Sequence, residues 1–158
     1  HYSPTYKYSI GLERVKNKFY KNTENYFRFT YLVNRKNTDI SQRNLYFQSG
    51  VLADDADGFF YGMHGDWETR RWFSGFGYKD TKNTFGQDYT DQYIQLGVAP
   101  YVGDYGDLHT WIMIKTKKNS LTNTQSTYPE LKFFKGPTLV KFGYSDKTEW
   151  DLHLMYRF

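Results

Sequence analysis

Apolar and polar residues alternate one by one along most of this chain. Tyr6, Tyr8, Ile10 and Leu12 interleave with Lys7, Ser9, Gly11 and Glu13. Phe27, Phe29, Tyr31 and Val33 do the same with Arg28, Thr30, Leu32 and Asn34. The pattern recurs at Leu45–Phe47–Val51, Phe59–Tyr61–Met63–Trp67, Trp72–Phe76–Tyr78 and Ile94–Leu96–Val98, and again at Leu108–Ile112–Ile114, Leu131–Phe133 and Val140–Phe142–Tyr144. A period of two belongs to a strand, whose successive side chains point to opposite faces. No stretch carries a 3.6-residue apolar period. Polar and Gly/Pro-containing clusters punctuate the segments. The segment around Leu108 is the least tidy, because Trp111 and Met113 fall on its otherwise polar face. The prediction is an all-β, antiparallel up-and-down sheet of about ten strands, within a range of eight to twelve, forming a single domain over 1–158.

The final strand points to where the apolar face goes. Trp150, Leu152, Leu154, Tyr156 and Phe158 share one face; Asp151, His153, Met155 and Arg157 share the other. A strand that carries an aromatic residue to its very end suits a closing strand better than a fraying terminus. Bacterial outer-membrane β-barrels typically finish in a strand of this kind, with a terminal Phe and apolar residues at alternate positions before it, and this stretch resembles theirs. The resemblance implies a closed transmembrane barrel in the Gram-negative outer membrane, surrounded by lipid and lipopolysaccharide and inserted by the barrel-assembly machinery. The last strand would then close against the one near Tyr6–Leu12. With the C-terminus in the periplasm, connections 16–25, 54–58, 80–88, 117–127 and 146–149 face outward, and 35–42, 69–71, 103–107 and 135–137 inward. Short periplasmic turns and longer outer loops are the expected asymmetry.

Composition fits this picture. Aromatic residues make up 21% of the chain, with 16 Tyr, 13 Phe and 4 Trp, yet the mean hydropathy is −0.80. Abundant rings in a polar chain suit a wall in which only alternate residues meet lipid. No run approaches the roughly 18 apolar residues of a spanning helix. There is no cysteine, which excludes a disulfide framework and thiol chemistry. The net charge of +4 is spread along the chain, whereas nucleic-acid binding needs a concentrated basic patch.

Under this reading the polar parity faces a lumen, and it is strongly ionic. Lys7, Arg28, Lys79, Lys115, Lys132, Lys141 and Arg157 lie on it with Glu13, Asp66, Glu68, Asp91, Glu130 and Asp151. The acidic residues Asp66, Glu68 and Asp91 come from middle strands; the cations come mostly from the first and last. That segregation predicts a transverse field across a narrow pore passing small polar or anionic solutes. Lys7, Arg28, Asp66, Glu68, Lys115, Lys132, Lys141 and Arg157 are the candidate solute contacts. The style of the strands resembles that of the small porins for acidic oligosaccharides, the oligogalacturonate-specific family. That resemblance implies that the lumen cations guide anionic sugars. A plugged interior, with a structural or adhesive role for the barrel, is the competing expectation. A hydrolase reading rests on His64 and Asp66, which lack a third member, so no catalytic residue is assigned. Asp55-Ala56-Asp57-Gly58 lacks the distal ligands of a calcium loop and reads as a turn, so no metal or cofactor is expected.

Overall fold

The structure, a computed structural model, describes residues 2–17, 22–54, 57–82, 86–104, 106–146 and 149–156. Eleven strands run in order: β1 (Tyr2–Thr5), β2 (Tyr8–Asn17), β3 (Asn22–Asn37), β4 (Ser41–Leu52), β5 (Phe59–Thr69), β6 (Trp72–Lys82), β7 (Tyr89–Val98), β8 (His109–Asn119), β9 (Thr124–Lys135), β10 (Thr138–Ser145) and β11 (Glu149–Tyr156). They form one sheet in sequence order, each strand hydrogen-bonded to its neighbours. Every pairing is antiparallel. The period-two segments thus become ten strands of eight residues or more, preceded by the four-residue β1.

The sheet is curved but open. Among the described residues β11 pairs only with β10, and the strands at the other edge pair only with each other and β3. The expected closure of Trp150–Phe158 on Tyr6–Leu12 is therefore absent: Tyr2–Thr5 folds back as β1 and takes the edge that β11 would use. Tyr156 keeps its backbone pairing with Thr138, while Arg157 and Phe158 lie outside the described residues.

Side chains sort by face. On the convex face Ile94, Leu96, Ile114 and Leu154 are each more than 60% exposed, and Phe27, Tyr61, Trp72 and Trp150 are exposed with them. Cross-strand register makes this surface continuous. Leu96 opposes Ile114, and Val98 opposes Ile112, which opposes Leu131. Phe142 opposes both Leu131 and Leu152. The concave face is where burial occurs, and it buries Glu24, Asn44, Gln95, Glu130 and Lys132 alongside Tyr26, Phe60, Trp111 and Tyr128. Polar and charged side chains are thus buried among aromatic ones on the concave face, while the convex face is apolar and exposed.

The connections divide between two rims. One rim, the loop rim, carries 18–21, 53–58, 83–88, 120–123 and 146–148; the other, the turn rim, carries 6–7, 38–40, 70–71, 99–108 and 136–137. Most connections on the turn rim are two or three residues long. At 136–137 the turn is possible because Gly136 takes φ +54°. Two expectations change here. The polar stretch 117–127 is mostly strand, with β8 and β9 paired through to Asn119 and Thr124. Thr and Lys on an exposed strand end satisfy the ladder as well as a loop would. The longest connection is instead 99–108, on the turn rim. Within its described residues the Tyr101 hydroxyl donates to the Leu108 carbonyl at 2.6 Å, and Asp107 accepts from the Asp104 amide at 3.0 Å.

Candidate functional site: the charged concave face

Two apolar groups of side chains, with charges between and against them, fill the concave face. Toward the loop rim, Tyr26 (β3), Leu52 (β4) and Phe60 (β5) form a buried apolar group with Val15 packed against it. Toward the turn rim, Phe73 (β6), Ala99, Trp111 and Met113 (β8) form a second, with Phe134 beside it. Trp111 and Met113, the two residues that made β8 untidy, are therefore core, and the core lies inside the curve. Between and against these groups run the charges.

Glu13 on β2 accepts from Arg28 on β3 at 3.3 Å and from Lys79 on β6 at 2.6 Å. The Lys79 ammonium also sits 3.8 Å from the Phe60 ring centroid. Lys132 on β9 reaches Glu68 on β5 at 3.3 Å, with its ammonium over Phe73 at 4.2 Å and Trp111 at 4.6 Å. A cation over an aromatic face is attracted by the ring quadrupole, and more strongly where water is excluded. The third assembly gathers on β8–β11. Lys115 donates to Asp151 at 2.8 Å and to Glu130 at 3.3 Å, and Tyr128 donates to the same Asp151 oxygen at 2.6 Å. Lys117 lies 3.6 Å from that oxygen.

The expected site residues are placed as follows. Arg28, Asp66, Glu68, Lys115, Lys132 and Lys141 all stand on concave-facing strand positions. Lys7 does not: it sits in the turn at 6–7, exposed, with its ammonium 5.8 Å from the Tyr6 ring centroid. Arg157 falls outside the described residues. Asp66 accepts from Asn44 at 2.9 Å, and Arg35 donates to the same Asn44 at 2.7 Å. Arg35 reaches this group because the register shifts between Leu32 and Asn34, which turns β3 by one position. Lys141 opposes Lys132 and His153 across its two ladders and makes no ion pair among the described residues. The acidic and basic sectors do not stand apart across a gap. Glu68 and Lys132 are in direct contact.

His64 stacks on Tyr46, with centroids 4.8 Å apart and planes at 15°. Among the described residues it makes no hydrogen bond to Asp66, so the compact His–acid pair of the sequence is not a hydrogen-bonded dyad. No group of three or more potential metal ligands occurs among the described residues. The turn Asp55–Gly58 falls partly outside them.

Sequence reasoning left out the residues that hold the charges in place: Tyr26, Phe60, Phe73 and Tyr93. A signal was available. Two of these rings need a vacancy across the ladder, and inward glycines provide it. Gly50 pairs with Phe60 and Gly77 with Tyr93, and the space a Cβ would take at either glycine is filled by that partner's ring.

Comparison with protein-family models, with curated proteins and with solved structures finds no match to this chain. Its functional reading rests on the geometry above.

Proposed function

We propose that this chain is an integral outer-membrane β-barrel protein whose charged concave face lines a narrow path for small polar or anionic solutes. The carrying observation is the inversion of the two faces: a continuous apolar convex surface around an ionic, partly buried interior. Monomeric soluble proteins rarely expose apolar patches beyond a few hundred Å², and lipid is the solvent that makes such a surface favourable. Its height also suits a bilayer. Exposed rings and Met63 run along β5 from Phe59 to Trp67. Eight steps at about 3.4 Å, tilted by about 40°, rise roughly 21 Å. The apolar band of such barrels is about 25 Å tall. Trp67, Trp72 and Tyr101 stand toward the turn rim, and Phe59, Tyr144 and Trp150 toward the loop rim, in the manner of two aromatic girdles.

Closure belongs to this reading. An open sheet edge does not persist in hydrocarbon, because unpaired N–H and C=O groups have no water there. The free edges at β11 and at β1–β2 therefore have to be paired in the membrane. Solute-facing roles fall to Arg28, Asp66, Glu68, Lys115, Lys132 and Lys141, the last of which makes no ion pair among the described residues.

A second reading, a non-conducting barrel with a structural or adhesive role, is favoured by one observation: ion pairs and two apolar layers cross the interior. Two measurements test the proposal. The purified chain should need detergent to stay monodisperse; a monodisperse protein in plain buffer would overturn the membrane reading. Planar-bilayer recording should show discrete current steps, and their absence would leave the non-conducting barrel.

A further inference from the structure

Two of the interior ion pairs differ from the rest in what they span. Lys79 (β6) joins Glu13 (β2), and Lys132 (β9) joins Glu68 (β5), each reaching across the concavity to a strand four positions away in the sheet. Among the described residues, the other pairs link strands closer in sheet order or lie near the rims. Both bridging lysines are built alike. Each ammonium rests on an aromatic ring, Phe60 in one case and Phe73 with Trp111 in the other, and each donates to a carboxylate on the facing wall. One bridge stands at the apolar layer near the loop rim, the other at the layer near the turn rim.

We propose that these two bridges are latches that close the interior path at both ends and that entering ions displace. The inference rests on the solute-path reading and adds its regulation. The lysine side chains are 18% and 8% exposed, so neither charge is left bare without cost when its partner departs. An anion entering beside the lysine, with a cation beside the glutamate, keeps both charges partnered while the bridge opens. A neutral solute offers neither, and leaves each lysine bare, together with Glu68 in one bridge, while Glu13 in the other keeps Arg28. Salt also weakens the attraction between the partners through screening. The path therefore opens to ions and with rising ionic strength, and stays shut to neutral solutes of equal size.

The chain has no cysteine, so one introduced thiol is a clean reporter. Gln95 is buried on the concave face of β7, between Tyr89, toward the loop rim, and Gly97, which pairs with Phe73 of the turn-rim layer. In Gln95→Cys protein, reaction with a charged methanethiosulfonate should be slow at low salt and severalfold faster in molar KCl. Adding Glu13→Gln and Glu68→Gln should make it fast at low salt, whereas Glu13→Asp with Glu68→Asp, which keeps both charges, should stay slow. Far-UV circular dichroism checks that each variant is folded. Labelling that ignores salt in the parent overturns the latch, whether or not the glutamine variants fold. So does a folded glutamine variant that labels no faster. Faster labelling without current in a planar bilayer supports the latch and removes the solute path instead.

Discussion

Lys132 and Glu68 meet at 3.3 Å although 64 residues separate them. Three strands lie between β9 and β5. In a flat sheet, four inter-strand steps of about 4.8 Å would hold the two backbones about 19 Å apart. The contact is thus a measure of curvature. It fixes which face is concave and brings the acidic middle strands onto the basic late ones.

Removing this lysine separates two effects, the pair and its aromatic seat. Lys132→Ala leaves Glu68 without its cation and the space over Phe73 and Trp111 empty. Its expected cost is about 2–4 kcal/mol, at the low end of what breaking a buried pair gives because Glu68 is partly exposed. Lys132→Met fills the seat with an unbranched apolar chain and should lose about half as much. Guanidinium unfolding in micelles, followed by tryptophan fluorescence, reads both. Equal losses in the two variants would mean that packing over the rings contributes nothing.

Gly77 and Tyr93 form a size-matched pair across β6 and β7. A methyl group at Gly77 would occupy the space of the Tyr93 ring, which itself packs 5.3 Å from the Lys115 ammonium. Gly77→Ala should destabilise by about 1–3 kcal/mol through overpacking. Adding Tyr93→Leu should recover much of that loss, since the smaller side chain vacates the site. The double-mutant cycle measures the coupling, and additive losses would show that the ring is not what limits residue 77.

The strand count and the parity of nearly every strand could be read directly from period-two alternation, because that period survives whichever face meets solvent. Closure could not. Whether β11 pairs with the first edge depends on the fold-back of Tyr2–Thr5 against Tyr8–Ile10, a local hairpin that competes for the same backbone groups. The same fold-back moved Lys7 into a turn. Residues 117–127 misled for a different reason: Lys, Thr and Asn are the composition of a loop, but Thr116 and Thr127 bond side by side at 2.9 Å as a cross-strand pair. The charged residues of the interior were legible as a set, since inward parity is local. Their partners were not. Lys79 finds Glu13 only through curvature, and the rings beside such lysines fit inside the curve against inward glycines, a cross-strand property.

Asp151 ties the edge strand to the strands beneath it. It accepts from Lys115 on β8 and Tyr128 on β9 while belonging to β11. Asp151→Asn removes the charge that both donors serve, although Lys115 retains Glu130. The expected loss is about 1–3 kcal/mol, concentrated on β11. Amide hydrogen exchange over 149–156 should accelerate more in Asp151→Asn than in Leu152→Ala, whose side chain contributes only to the exposed convex face. The opposite order would place the anchoring of β11 on its outer face.

Neighbouring residues on β7 give the sharpest test of what lies outside the sheet. Ile94 points to the convex side and is 63% exposed; Gln95 points inward and is buried. In water, Ile94→Arg on an exposed strand position should change stability by under about 0.5 kcal/mol. In a bilayer the same charge stands within the apolar band, between Phe76 and Thr116 on the neighbouring strands, and should cost about 2–4 kcal/mol. Reversible unfolding of the parent and of Ile94→Arg from liposomes measures that cost. A cost near zero for Ile94→Arg in liposomes would leave the apolar convex face without lipid and require a protein partner to cover it.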